Sequence, residues 1–224
     1  MDWQAVELTL RLALLTTLIL LALGTPIAWW LATTRRPWRG LVYALVALPL
    51  VLPPTVLGFY LLMAMGPDGP IGVLTTSLGI GRLPFTFAGI LVASVIYSLP
   101  FMVQPLTVAF AGVDRPLLEA SWTLGRSGFG TFFRVVVPLS VPGFLTAVVL
   151  TFAHTVGEFG VVLMIGGSIP GVTRTVSISI YDDVQALDYA SAATLALPLL
   201  VASFLVLSIT YTVARRRTEW PIGV

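Results

Sequence analysis

Residues 83–113 of this 224-residue chain contain no charged side chain at all, and this feature constrains the fold more than any other. A spanning helix needs about 20 mostly apolar residues. Five segments meet that requirement: about Leu12–Thr33, Leu41–Met65, Phe85–Ala111, Val136–Ile165 and Tyr189–Ala214. Hydrophobic residues make up 57% of the chain and charged residues 10%, against about 25% charged in a soluble domain. In water such a chain would expose large apolar patches, so lipid is its solvent. The expectation is an all-α polytopic membrane protein with five transmembrane helices and no sizeable soluble domain.

The few charges are sorted by side. All 12 basic residues are Arg. If successive loops alternate across the membrane, one group holds Arg35, Arg36, Arg39, Arg115, Arg126, Arg134 and Arg215–Arg217. The other group holds only Arg11, Arg82 and Arg174, with Asp2, Glu7, Asp68, Asp182, Asp183 and Asp188. The positive-inside rule then puts the C-terminus in the cytoplasm and the N-terminus outside. The acidic N-terminal segment lacks the basic region and cleavage site of a signal peptide, so the first helix is expected to stay in the mature protein. The chain divides into a membrane domain over 1–217 and a short cytoplasmic tail over 218–224.

Several function classes fall away. There is no Cys and only one His, which removes thiol nucleophiles, Cys-ligated metals and multi-His metal sites. Basic residues occur in short tufts rather than on one solvated face, so nucleic acid is not an expected partner. No Lys is present, and a P-loop needs one to reach the nucleotide phosphates. No cofactor is therefore expected in this chain, and ATP with its magnesium would be held by another polypeptide.

The Arg-rich segment 112–137 reads as short helices. Asp114 is a candidate N-cap, Pro116 falls in the first turn, Gly125 is a stop, and a second amphipathic piece covers Phe129–Arg134. The longer loops of the opposite side are Gly66–Pro84 and Gly166–Asp188. Prolines fall inside the spans, among them Pro49, Pro53 and Pro54, then Pro100 and Pro105, then Pro138 and Pro142. Each removes a backbone hydrogen bond, a loss tolerated where the backbone faces protein or a water-filled cavity. Kinks at Pro53, Pro54 and Pro100 fit either simple packing or helices that surround a pathway. In the fourth span Thr151, His154, Thr155 and Glu158 fall on one helical face, and ionisable residues there are functional candidates.

The order Glu119-Ala120-Ser121, three residues, Gly125, nine residues, Val135-Val136-Val137-Pro138 resembles the signature loop of ATP-binding-cassette importer permeases. That pattern is EAA, three residues, Gly, nine residues, I-x-L-P, and the spacing matches throughout. The resemblance implies a type I importer permease fold whose loop, with Glu119, Ala120, Ser121, Gly125 and Pro138, docks on a cytoplasmic ATPase subunit. The pattern Leu48-Pro-Leu-Val-Leu-Pro-Pro54 with Gly58 and Met65-Gly66 is similar to molybdate permease subunits. So are Gly157-Glu-Phe-Gly160, Ile169-Pro-Gly171 and Thr173-Arg-Thr175. This implies import of molybdate through the cell membrane, with sulfate and tungstate permeases as close alternatives. It also implies a periplasmic or extracellular molybdate-binding protein as partner, and a homodimer, since one chain supplies one docking loop for two ATPases.

Within that frame Glu158 repels an oxyanion, so it is expected to pair with His154 or Arg174 and to order an outer gate. Thr151 and Thr155 would contact the passing anion, unless the stripe instead bonds neighbouring helices. Counted from Pro138 at ~1.5 Å per residue, Glu158 would lie about 30 Å up the span, near the outer surface. A competing class is an ion-coupled carrier, expected to show repeated halves with broken helices and mid-membrane carboxylates. An intramembrane enzyme would need a nucleophile–base or metal constellation that one His and no Cys do not supply.

Overall fold

The computed structural model describes residues 2–218, and among them every regular element is helical. The first helix, α1 (Trp3–Thr33), starts nine residues before the expected boundary. Asp2 caps it, its carboxylate accepting from the Ala5 N–H at 3.1 Å. The acidic N-terminal stretch is thus the first turns of the span, and Arg11 lies on the helix, over the Phe87 ring, rather than in a loop.

The second expected span is broken. It consists of α2 (Arg39–Val51) and α3 (Pro54–Met65), bent by 112° where they meet. The cause is local: residues before proline are pushed into extended conformation, and Leu52 (ψ 135°) and Pro53 (ψ 136°) both precede one. Two such residues in succession stop one helix, and Pro54 opens the next at its first position. The loop that follows holds a short helix, α4 (Pro70–Ser77).

Helix α5 (Phe87–Ala111) runs unbroken through Pro100 and Pro105. After it come α6 (Arg115–Thr123), α7 (Gly128–Thr131), a π-helical turn over Phe132–Val136 and α8 (Val137–Leu139). The chain then bends by 76° into α9 (Val141–Gly157). The expected fourth span, Val136–Ile165, is therefore interrupted twice. Its second break falls at Glu158-Phe159, beyond which α10 (Gly160–Gly166) begins. The last loop contains α11 (Val176–Gln185), and α12 (Tyr189–Thr218) closes the described chain. Apart from Thr218, the expected tail lies outside the described residues. Among the described residues three helices, α1, α5 and α12, are long and apolar enough to cross a membrane, or up to five spans if each bent pair counts as one.

Helix α5 is the centre, packed by α1, α2, α9 and α10. Its core divides into two apolar clusters stacked along the helix. One gathers Leu20, Leu31, Val46, Leu106, Phe110 and Val136, at the end of the bundle where α1 runs into Arg35, α2 starts at Arg39 and α6 at Arg115. The other gathers Leu12, Met65, Ile90, Val161, Ile165 and Ile178 at the acidic end. The one-sided distribution of Arg along the sequence is thus a real difference between two ends of the bundle.

The second cluster depends on close approach between α3 and α10. A Cβ on Gly160 would lie 2.8 Å from Cβ of Pro54, and one on Gly58 2.7 Å from Cβ of Met164. These glycines are selected by space, because neither has a positive φ. Gly160→Ala is expected to lower stability by about 1–3 kcal/mol through overpacking. Thermal unfolding of the detergent-solubilised chain reads that loss, and an unchanged midpoint would show that α3 and α10 separate freely.

Candidate functional site

Two arrangements stand out, one at the Arg-rich surface and one at mid-depth. At the surface, α6 follows Asp114, whose extended backbone starts the helix although its side chain makes no capping bond. Pro116 lies in the first turn, where its missing N–H is not needed. Gly125 ends the element at φ +77°, with open space around the position a Cβ would take. Glycine is there for its backbone freedom, not for packing. The N–H groups of Leu124, Gly125 and Arg126 then close the last carbonyls of the helix at 3.2, 2.9 and 3.1 Å.

One face of α6 holds it to the bundle. Leu118 packs against the Arg-end cluster, and Ser121 is buried with its hydroxyl 2.9 Å from that of Thr131. Ser121 was expected to face a partner beside Ala120; the structure turns it inward, where it ties α6 to α7. The outward face carries Leu117, Ala120, Trp122 and Leu124, continued by Phe129 and Phe133. Glu119 is also outward, paired with Arg115 at 3.1 Å across one helical turn. Pro138 is exposed as well, at the start of the 76° bend. Exposed apolar side chains set among charged ones are the composition of a protein contact.

The second arrangement lies between the two apolar clusters. Where α9 ends, the Glu158 carboxylate turns into the bundle, and the residue is 3% exposed. Ser94 of α5 donates to Oε2 at 2.5 Å, and Ser98, one turn along, donates to Oε1 at 2.6 Å. Ser98 also meets the Thr155 hydroxyl at 2.9 Å, and Thr155 donates to the Thr151 carbonyl at 3.0 Å. Nε2 of His154 stands 3.8 Å from Oε1 of Glu158, its ring stacked on Phe101 with centroids 3.9 Å apart.

This geometry corrects two expectations. Glu158 is not near the outer surface: its partners Ser94 and Ser98 lie between Ile90 and Met102, at the middle of α5. Counting from Pro138 misplaced it because the chain continues past Glu158: α10, with Val161, Val162 and Ile165 in the acidic-end cluster, lies beyond it. Arg174 is not its partner either. The Arg174 Nε donates to Ser168 Oγ at 3.0 Å and stands 3.4 Å from Asp182, while Ser168 donates to Asp182 at 2.5 Å. Thr173 adds a bond to the Gly166 carbonyl at 2.7 Å, and the Val176 N–H reaches Thr9 of α1 at 2.9 Å. The Ile169–Thr175 signature therefore staples the loop at the acidic end.

Thr151 and Thr155 are sealed between helices, at 0% and 1% exposure, and line no open channel within the chain. Ser94 and Ser98 went unnoticed in the sequence. Their signal was two small polar residues at i and i+4 in an apolar span, a pattern that lets helices approach and bond in lipid. Among the described residues no three His, Asp or Glu side chains come together to hold a metal ion.

The sequence pattern of the binding-protein-dependent transport system inner membrane component family matches residues 24–219. The molybdenum transport system permease protein ModB of Azotobacter vinelandii is 62% identical over 214 residues, covering 96% of this chain and 95% of the relative. The Escherichia coli K12 protein of the same name is 39% identical over 185 residues, covering 82% and 80%. In three dimensions the chain is similar to a bacterial ABC transporter involved in alginate import, with a TM-score of 0.77 at 19% identity. That match covers 96% of this chain and 79% of the other.

Proposed function

The chain belongs to the family of binding-protein-dependent transport system inner membrane components, and from that premise we propose that it is the permease subunit of an oxyanion importer. In this reading it carries molybdate across the cell membrane with energy from a separate ATPase subunit that holds ATP and magnesium. An external binding protein delivers the anion at the acidic end, two copies of the chain form the path, and the Arg-rich end faces the cytoplasm. The observation that carries the reading is α6: anchored by Leu118 and Ser121, turned by Gly125, and presenting Leu117, Glu119, Ala120 and Trp122 outward. A helix held rigidly on one face and open on the other transmits a push from a docked motor into α9. Molybdate as cargo is supported by the names of the two relatives.

Two features expected of an ion-coupled carrier, broken spans and a mid-depth carboxylate, are present. Family membership, not their absence, favours the ATP-driven reading. The test is reconstitution of the chain with its ATPase and binding protein in liposomes. ATP-dependent molybdate uptake, outcompeting sulfate, is the expected result. Uptake driven by an ion gradient without ATP, or sulfate import in preference to molybdate, would overturn the proposal.

A further inference from the structure

One part of the mid-depth polar layer is not explained by packing. Thr151, Thr155 and Glu158 are sealed, but 21% of the His154 side chain remains accessible. Its ring is clamped on α5, stacked on Phe101 at 22° and leaning on Tyr97 with centroids 4.9 Å apart. Nε2 is buried and makes no hydrogen bond, its nearest charged neighbour being Glu158. Nδ1 is not sealed in the same way and has no partner among the described residues.

An imidazole edge open to lipid at mid-depth is unfavourable, and ionisable groups in spans face the bundle interior or a water-filled cavity. The open edge of His154 therefore marks the side of the chain that looks onto water or a second copy. We infer that His154, held by the Phe101 and Tyr97 rings and facing Glu158, is the residue that contacts the anion in the transport path. The inference rests on the oxyanion-importer reading above.

The hydrogen-bond inventory supports it. Glu158 uses Oε2 for Ser94 and Oε1 for Ser98, and Oε1 is also the atom that faces Nε2. When the pair holds two protons, one sits on Nδ1 and the other on the facing side, on Nε2 or on the Glu158 carboxyl, with no hydrogen bond joining the two groups at 3.8 Å. This holds whichever of the two groups carries the second proton. The pair is then neutral in total, which a water-poor layer favours over a lone buried charge. Nδ1–H is left pointing outward as a donor. An arriving anion favours the same state, because the alternative is a bare carboxylate behind an acceptor nitrogen. A single donor of this kind gives weak, quickly reversed contact, as passage requires.

The test uses the complete transporter in proteoliposomes and reads molybdate imported per ATP hydrolysed. His154→Phe keeps the ring and its stacking but removes both nitrogens. It is expected to lower the ratio about tenfold, the scale of one hydrogen bond to a charged group. His154→Asn, whose amide falls near Nδ1, is expected to recover most of the loss. His154→Gln, whose amide falls near Nε2, is not. An unchanged ratio in His154→Phe, or Gln equal to or better than Asn, overturns the inference. If the Phe variant does not assemble, the Asn and Gln pair decides alone. A wild-type complex that imports no molybdate would instead overturn the functional reading, so the two failures are distinguishable.

Discussion

Replacing Glu158 by Ala is expected to destabilise the folded chain by about 3 kcal/mol, within the range for losing one member of a buried polar group with its hydrogen bonds. The substitution removes both bonds from α5 to the α9–α10 break, those of Ser94 and Ser98, and leaves a cavity between two apolar clusters. The serine hydroxyls can turn back to carbonyls of their own helix, which limits the loss. Glu158→Gln should cost much less, about 1 kcal/mol, because its amide oxygen accepts from one serine and its nitrogen donates to the other. Unfolding of the purified variants in mixed micelles, followed by helical signal, compares the two. Equal stability for Ala and wild type would show that the break is held by apolar packing of α10 alone.

The second large effect is expected at the opposite end of α9. Trp122→Ala should weaken association with the ATPase by about 30-fold or more, as for a buried aromatic anchor at the centre of a contact. Trp122 is half exposed in the isolated chain, as is Leu117. Ser121→Ala makes the informative comparison. Its hydroxyl bonds Thr131 inside the bundle, so it should slightly loosen α6 with little effect on binding. Co-purification or titration of the ATPase against the two variants measures the difference. If Ser121→Ala impaired binding more than Trp122→Ala, the outward face would have been assigned wrongly. Glu119 lies on the same face, but its pair with Arg115 is solvent-exposed and such pairs contribute little.

These two predictions show what could be read in the sequence. The boundaries of α6 followed from Pro116 and Gly125, because helix starts and stops are decided by single residues and their neighbours. Which face of α6 points outward did not follow, since Ala, Ser and Trp in a short helix do not reveal what lies beneath them. The break at Leu52-Pro53 was visible as a proline pair, yet the 112° turn required α3 to find its seat against α10. Pro100 and Pro105 carried the same local signal, and α5 passes through both unbroken, packed along its length by α1, α2, α9 and α10.

By itself the sequence indicated the all-helical apolar class, the Arg-rich end and the bounds of the short helix α6. Each of these depends on composition or on residues close together in the chain. Only the tertiary structure decided the depth and the partners of Glu158. Ser94 and Ser98 lie more than 50 residues away along the chain, and no periodicity within α9 could point to them. It also separated His154, with an open edge, from the sealed Thr151 and Thr155 beside it. All three share one helical face, and only the helix packed against that face distinguishes what is buried from what is presented.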